Sequence, residues 1–264
     1  MIMKMNFFKA YNSSYIKDAA SNSYERPSEE EKRTLHMKIG QHEYGDEGVV
    51  ETETEKISLR FEYEYAEYRD YAYGPDEIDG VLGNRDPSIH WRKLKCYTLR
   101  DKDTGAEVDL LGELPDGYVV LFNSASYHDD GEARPRYKGC VVDSEISSIH
   151  GIIVLLHEIG HCIDYEKTED KRKWIDRIET AESEKDIQLC LRRERDASAY
   201  VVKKLRSFLN SGALSKAAVM NHIYEAIFVR NDILRKRLGV VKLNEIKDYF
   251  KKILDKANSM PDAE

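Results

Sequence analysis

The chain has 264 residues, 41% of them hydrophobic and 34% charged, and a formal net charge of −8. That balance fits a folded globular protein and excludes the composition of intrinsic disorder. An acidic chain offers no electrostatic hold on nucleic acid or on an anionic membrane, so neither is expected as a partner.

Residues 1–10 carry a lysine inside a short apolar stretch and lack a small-residue cleavage site, which makes a poor signal peptide. The longest apolar run, residues 151–156, is far below the ~20 residues that span a bilayer. Cys96, Cys140, Cys162 and Cys190 have no paired spacing, so neither a zinc ribbon nor a disulfide framework is indicated. The reading is a cytoplasmic protein with free thiols, or one delivered into a host cytosol without a classical signal peptide.

In chain order, residues 1–48 are mixed, with a polar, charged linker at 21–32. Ile57, Leu59, Phe61, Tyr63 and Tyr65 then alternate with polar residues, the period-2 pattern of a half-buried strand. The tyrosine-rich continuation to Tyr73 is read as packing for a sheet face rather than as an aromatic substrate groove. Residues 74–76 and 80–84 are turn material. Segments 94–99 and 106–111 flank the turn 101–105 and predict a hairpin. After a further turn at 115–117, the apolar runs 118–122 and 137–142 predict a second hairpin, with 123–136 as a long polar tip.

From Ser144 the pattern becomes helical. Ser144 or Ser147 can cap a helix running from Ile149 to about Tyr165. Further helices are expected at 172–181, 184–209, 215–238 and 243–257. Strands first and helices later indicate the α+β class.

The chemistry lies in His157-Glu158-Ile159-Gly160-His161, an H-E-x-x-H. On a helix, residues four apart share a face, so both imidazoles can bind one zinc ion. Glu158 then lies beside the open coordination position, where it can take a proton from water and pass it to a leaving amine. Gly160 lets another backbone come close. Asp164, on the same face, is a candidate for orienting an imidazole.

Two histidines need a third ligand. Position 164 is Asp and position 167 is Lys, so no histidine extension of the motif follows. The candidates are Glu166, Glu169, Glu179, Glu182, Glu184, Glu194 and Asp196. In the segment from Asp186 the apolar stripe runs Ile187, Leu191, Ser198, Val201, Leu205 and Phe208, with Glu194 in its middle. A carboxylate in a core-facing stripe requires a cation, which favours Glu194. Asp196 falls off the stripe, and Arg192, Arg193, Lys203 and Lys204 are expected to face away. Tyr200 and His222 belong to no spaced motif and are read as structural, while Val141-Val142 could form an edge strand for an extended substrate.

HEIGH followed by Glu194-Arg195-Asp196-Ala197 resembles the gluzincin arrangement of zinc peptidases. Its E-x-x-A form is similar to the ImmA/IrrE family of intracellular metallopeptidases, in which a hairpin precedes the HExxH helix. The form HEIGHCIDY also resembles the catalytic domain of anthrax lethal factor and its Pro-Pro endopeptidase relatives, although position 187 is Ile where those carry a tyrosine. The resemblance implies a zincin-like domain over residues 113–264, with residues 1–112 as a β-rich region of unknown role. It implies a zinc metalloendopeptidase holding one Zn2+ through His157, His161 and Glu194, with Glu158 as general base and a protein or peptide as substrate. A catalytically silent zincin-fold binding or regulatory module is the alternative.

Overall fold

The computed structural model describes residues 47–66, 81–82, 91–123, 130–171, 174, 182–216, 219, 222 and 255. The linker at 21–32, the tyrosine row beyond Ala66, the turn at 74–76, most of the helix expected at 172–181, and nearly all of those at 215–238 and 243–257 lie outside these residues.

The described chain is α+β, a mixed sheet packed on two helices. Strands β1 (Gly48–Glu53), β2 (Ile57–Tyr65) and β3 (Arg92–Asp101) form an antiparallel meander. In β2 the period-2 pattern does what it predicts, burying Ile57, Leu59, Phe61 and Tyr63. Tyr63 is core material, edge-on to Phe122 at 5.8 Å, while Tyr65 is exposed. The first expected hairpin is present: β4 (Glu107–Asp109) folds back on β3. Its turn is held by the buried carboxylate of Asp101, which accepts from the backbone N–H groups of Asp103 and Thr104 and from the hydroxyl of Ser211.

The second expected hairpin is not what forms. Strand β5 (Val119–Phe122) and strand β7 (Gly139–Asp143) lie side by side in parallel, Val119 opposite Gly139 and Phe122 opposite Val142. The stretch read as a polar tip contains another strand, β6 (Asp130–Arg134), and it is β6 that pairs antiparallel with β7. The turn between them is a short 3-10 segment, Pro135–Tyr137, closed by Lys138 in the left-handed conformation at φ 56°. The physical reason is burial. Central strands covered on both faces read as continuous apolar runs, whereas an edge strand such as DGEAR reads like a loop. The sheet order is β1-β2-β3-β5-β7-β6, so β7 is internal and β6 forms the edge expected of Val141-Val142.

Helix α1 (Ile149–Lys167) follows β7 after a short connection, residues 144–148, and packs against β6 and β7. Its cap is Ser148 rather than Ser144 or Ser147, one residue beyond the latter: the Ser148 hydroxyl accepts from the Gly151 N–H at 3.0 Å. Helix α2 (Glu184–Asn210) packs on α1 and begins with a reciprocal cap, Ser183 and Asp186 each accepting the other's backbone N–H. Strands from both sides of residue 112 share the sheet, and its two faces carry separate apolar clusters. The larger joins Leu59, Phe61, Tyr97 and Phe122 to α1 and α2, and the smaller holds Val81, Leu82, Trp91, Leu121 and Val141.

Candidate metal centre

Helix α1 is buried continuously from His150 to Gly160 because its residues are apolar on every side, with the sheet on one flank and α2 on the other. A helix enclosed in this way cannot rotate to bring its polar side chains to water. His157 and Glu158 therefore stay inside, and His161 is only partly exposed.

The third member comes from α2. Glu194 is buried, as its place in the stripe predicts. His157 Nε2 lies 3.2 Å from Glu194 Oε2 and 3.1 Å from His161 Nε2, and His161 Nε2 lies 3.7 Å from Glu194 Oε1. Three donor atoms of two chemical kinds thus converge on one point, and among the described residues they form the cluster able to hold a metal ion. Donors about 2.0–2.1 Å from a tetrahedral ion lie roughly 3.3 Å from one another. The observed separations bracket that value. Two neutral imidazole nitrogens facing each other at 3.1 Å also require a proton or a cation between their lone pairs.

The convergence depends on the glycine of HEIGH. A side chain at Gly160 would begin 2.9 Å from the Ala197 Cα and 3.3 Å from the Ala197 carbonyl oxygen, contacts with backbone that cannot swing aside. Gly160 therefore sets how closely α1 and α2 cross. Glu194 lies one turn before Ala197, so that crossing brings its carboxylate to the imidazoles.

Glu158 points to the other flank. Its Oε2 accepts from the backbone N–H of Ala133 in β6 at 2.6 Å. Asp164 does not orient a histidine; it pairs with Arg193 Nε at 3.5 Å. This corrects two expectations, because Arg193 does not face away. Arg193 is buried, with its guanidinium stacked 3.8 Å over the Trp174 ring, which in turn packs edge-on against Tyr165. Stacking lets a planar guanidinium lie against aromatic surface within the core. Asp196 behaves as expected, staying off the stripe and pairing with Arg192 and Arg195.

Two further histidines adjoin the cluster. The His222 ring is edge-on to His157 at 4.9 Å and lies 6.5 Å from His150. Burial, followed by the neighbouring His157 and His150, holds the His222 imidazole well below the ordinary histidine range. His150 lies seven residues before His157, two turns along the same face of α1, whereas no spacing in the sequence links His222 to HEIGH. Tyr200 is buried, and its hydroxyl has no partner among the described residues.

All four cysteines are free thiols, with Cys140 and Cys162 buried side by side between β7 and α1. Among the described residues no helix is long and apolar enough to cross a membrane. No protein family, curated protein or solved structure matches the chain.

Two outcomes are expected. Glu194→Ala should weaken zinc binding by at least roughly 10-fold, as loss of one of three donors, whereas Asp196→Ala should leave it unchanged. Competition with a chromophoric chelator measures both. Gly160→Leu should lower zinc affinity in the same assay while far-UV circular dichroism stays helical, because the added side chain moves Glu194 without removing it. Unaltered affinity in Gly160→Leu would separate the crossing from the site.

Proposed function

We propose that the protein is a zinc-dependent endopeptidase of zincin-like architecture that hydrolyses a peptide bond in a protein substrate. The observation that carries this reading is the convergence of His157, His161 and Glu194, with Glu158 next to His157 on the same buried helix. His157, His161 and Glu194 would hold the ion, leaving a coordination position open. Two imidazoles with one carboxylate suit zinc, while magnesium and calcium prefer all-oxygen sites. Two neutral donors and one anion also leave a net positive charge on the ion. When bound, zinc supplies Lewis acidity, lowering the pKa of water and polarising the carbonyl under attack.

The remaining work falls to the chain. Glu158 takes a proton from the attacking water and returns it to the leaving amine, for which a carboxylate one position after a ligand histidine is well placed. The buried run 150–160 holds His157 and the base, and His161 follows it on the same helix, so little reorganisation is needed as charge develops. The edge strand β6 presents its outer backbone beside Glu158, and an extended peptide can pair along such an edge.

The purified full-length protein should therefore contain about one zinc per chain, measured by elemental analysis after zinc-supplemented expression. Absence of any stoichiometric transition metal would remove the whole reading. Glu158→Gln should keep that zinc and lose hydrolysis by about 10²–10⁴-fold, the usual weight of a general base. A Glu158→Gln protein that cleaves at the wild-type rate would instead assign the base elsewhere.

A further inference from the structure

The bond between edge strand β6 and the proposed base is close and specific in its requirements. A side chain at Gly131 would begin 2.6 Å from Val154 Cγ1, 2.8 Å from Glu158 Cγ and 3.2 Å from Glu158 Oε1. Further along the strand, the Ala133 N–H donates to Glu158 Oε2 at 2.6 Å. Gly131 and Ala133 alternate with Glu132 along the strand, so they share one face, turned toward α1. Glu132 and Arg134 occupy the opposite face and pair with each other at 3.0 Å.

We infer that β6 is the positioning element for Glu158: the Ala133 amide fixes the carboxylate, and Gly131, by lacking a side chain, lets the strand come near enough to do so. This rests on the peptidase reading, which supplies the reason a carboxylate here must be held. A glutamate side chain turns about several bonds, and an unheld carboxylate beside an open coordination position could swing inward and occupy that position itself. A charge-assisted bond from a backbone N–H removes that freedom, and the backbone donor cannot be drawn away as a side chain could. Gly131 is a positioning residue in this account, since it acts on Glu158 and not on the substrate.

The strand's polar sequence fits this role. A central strand would spend the Ala133 N–H on a neighbouring strand, whereas an edge strand has it to give. The same N–H is also one to which an extended substrate could pair.

The test reads the bond without a substrate. In the zinc-loaded full-length protein, exchange of the Ala133 amide with solvent is followed by NMR in wild type, Glu158→Gln, Glu158→Ala and Gly131→Ala. Protection is expected in wild type and in Glu158→Gln, whose amide oxygen can still accept. Exchange at least roughly 10-fold faster is expected in Glu158→Ala and Gly131→Ala, in line with a hydrogen bond to a charged acceptor. The Val141 and Val142 amides, internal to the sheet, serve as the folding control. Equal exchange of Ala133 in wild type and Glu158→Ala overturns the inference.

The second arm uses a quenched-fluorescent peptide library, and from it one peptide that wild type cleaves. Gly131→Ala should lower kcat by about 10²-fold with zinc content unchanged, the effect of misplacing a reacting group by about 1 Å. Ala133→Pro, which deletes the N–H at an edge position that tolerates proline, should do the same. A normal kcat in both variants, despite faster exchange in Gly131→Ala, overturns the catalytic importance of the contact. A zinc-loaded wild type that cleaves nothing removes the peptidase reading itself, a failure the exchange result tells apart from loss of the contact.

Discussion

With His157 and Glu194 buried and the donor atoms of His157, His161 and Glu194 gathered at 3.1–3.7 Å, every lone pair there needs a proton or a cation to face, and much of this structure bears on that constraint. Burying a carboxylate costs several kcal/mol unless it is matched by charge and hydrogen bonds. His157 and Glu194 are both buried, and their nearest atoms lie 3.2 Å apart. A proton could satisfy the group. A divalent cation, as proposed, would face all three donors at once and leave no pair of lone pairs opposed. The enclosure also explains why the group is narrow in its chemistry: Tyr118, Glu166 and Lys171, polar groups near the far end of α1, are engaged with one another and stay out of it.

Rigidity is the second consequence. α1 carries both histidines and Glu158, and its unbroken buried run leaves it no exposed face between residues 150 and 160. Its start is fixed by the Ser148 cap, and it follows a short connection, residues 144–148, from β7, whose five residues are all buried. Such a helix has one way to sit. Helix α2 is the opposite case, a strongly amphipathic helix whose stripe decides what it buries. Glu194 is the acidic residue of that stripe, so the α1–α2 contact specifies the third donor without further design.

What is legible in the sequence follows the same division. The strand at 57–65 and the helix at 184–210 are readable because periodicity survives when one face meets water. Helix α1 is readable through its histidine spacing and serine-rich entry, with the cap displaced by one residue. Glu194 can be chosen over Asp196 because one interrupts the stripe and the other does not. The parallel pairing of β5 with β7 is not readable: buried strands carry no alternation, and pairing partners distant in sequence leave no local mark. Arg193 defeats sequence reasoning because a guanidinium stacked on an aromatic ring occupies a core position that charge alone argues against. β6 reads as a loop because its residues, Asp-Gly-Glu-Ala-Arg, have the composition of one.

The disguise of β6 bears on how the site is built. HEIGH fixes the order of the groups along α1, but their distances from other elements are set at two places where a side chain is missing. On one flank Gly160 admits Ala197 and with it the carboxylate of Glu194. On the other Gly131 admits β6 and with it the Ala133 amide that holds Glu158. Gly160 sits inside the motif, so its role can be guessed from the sequence. Gly131 lies well upstream of the motif, in a strand whose residues resemble a turn, and nothing local marks it as a neighbour of Glu158. A motif therefore specifies which groups meet at such a centre, while the glycines of the flanking elements specify how closely they meet.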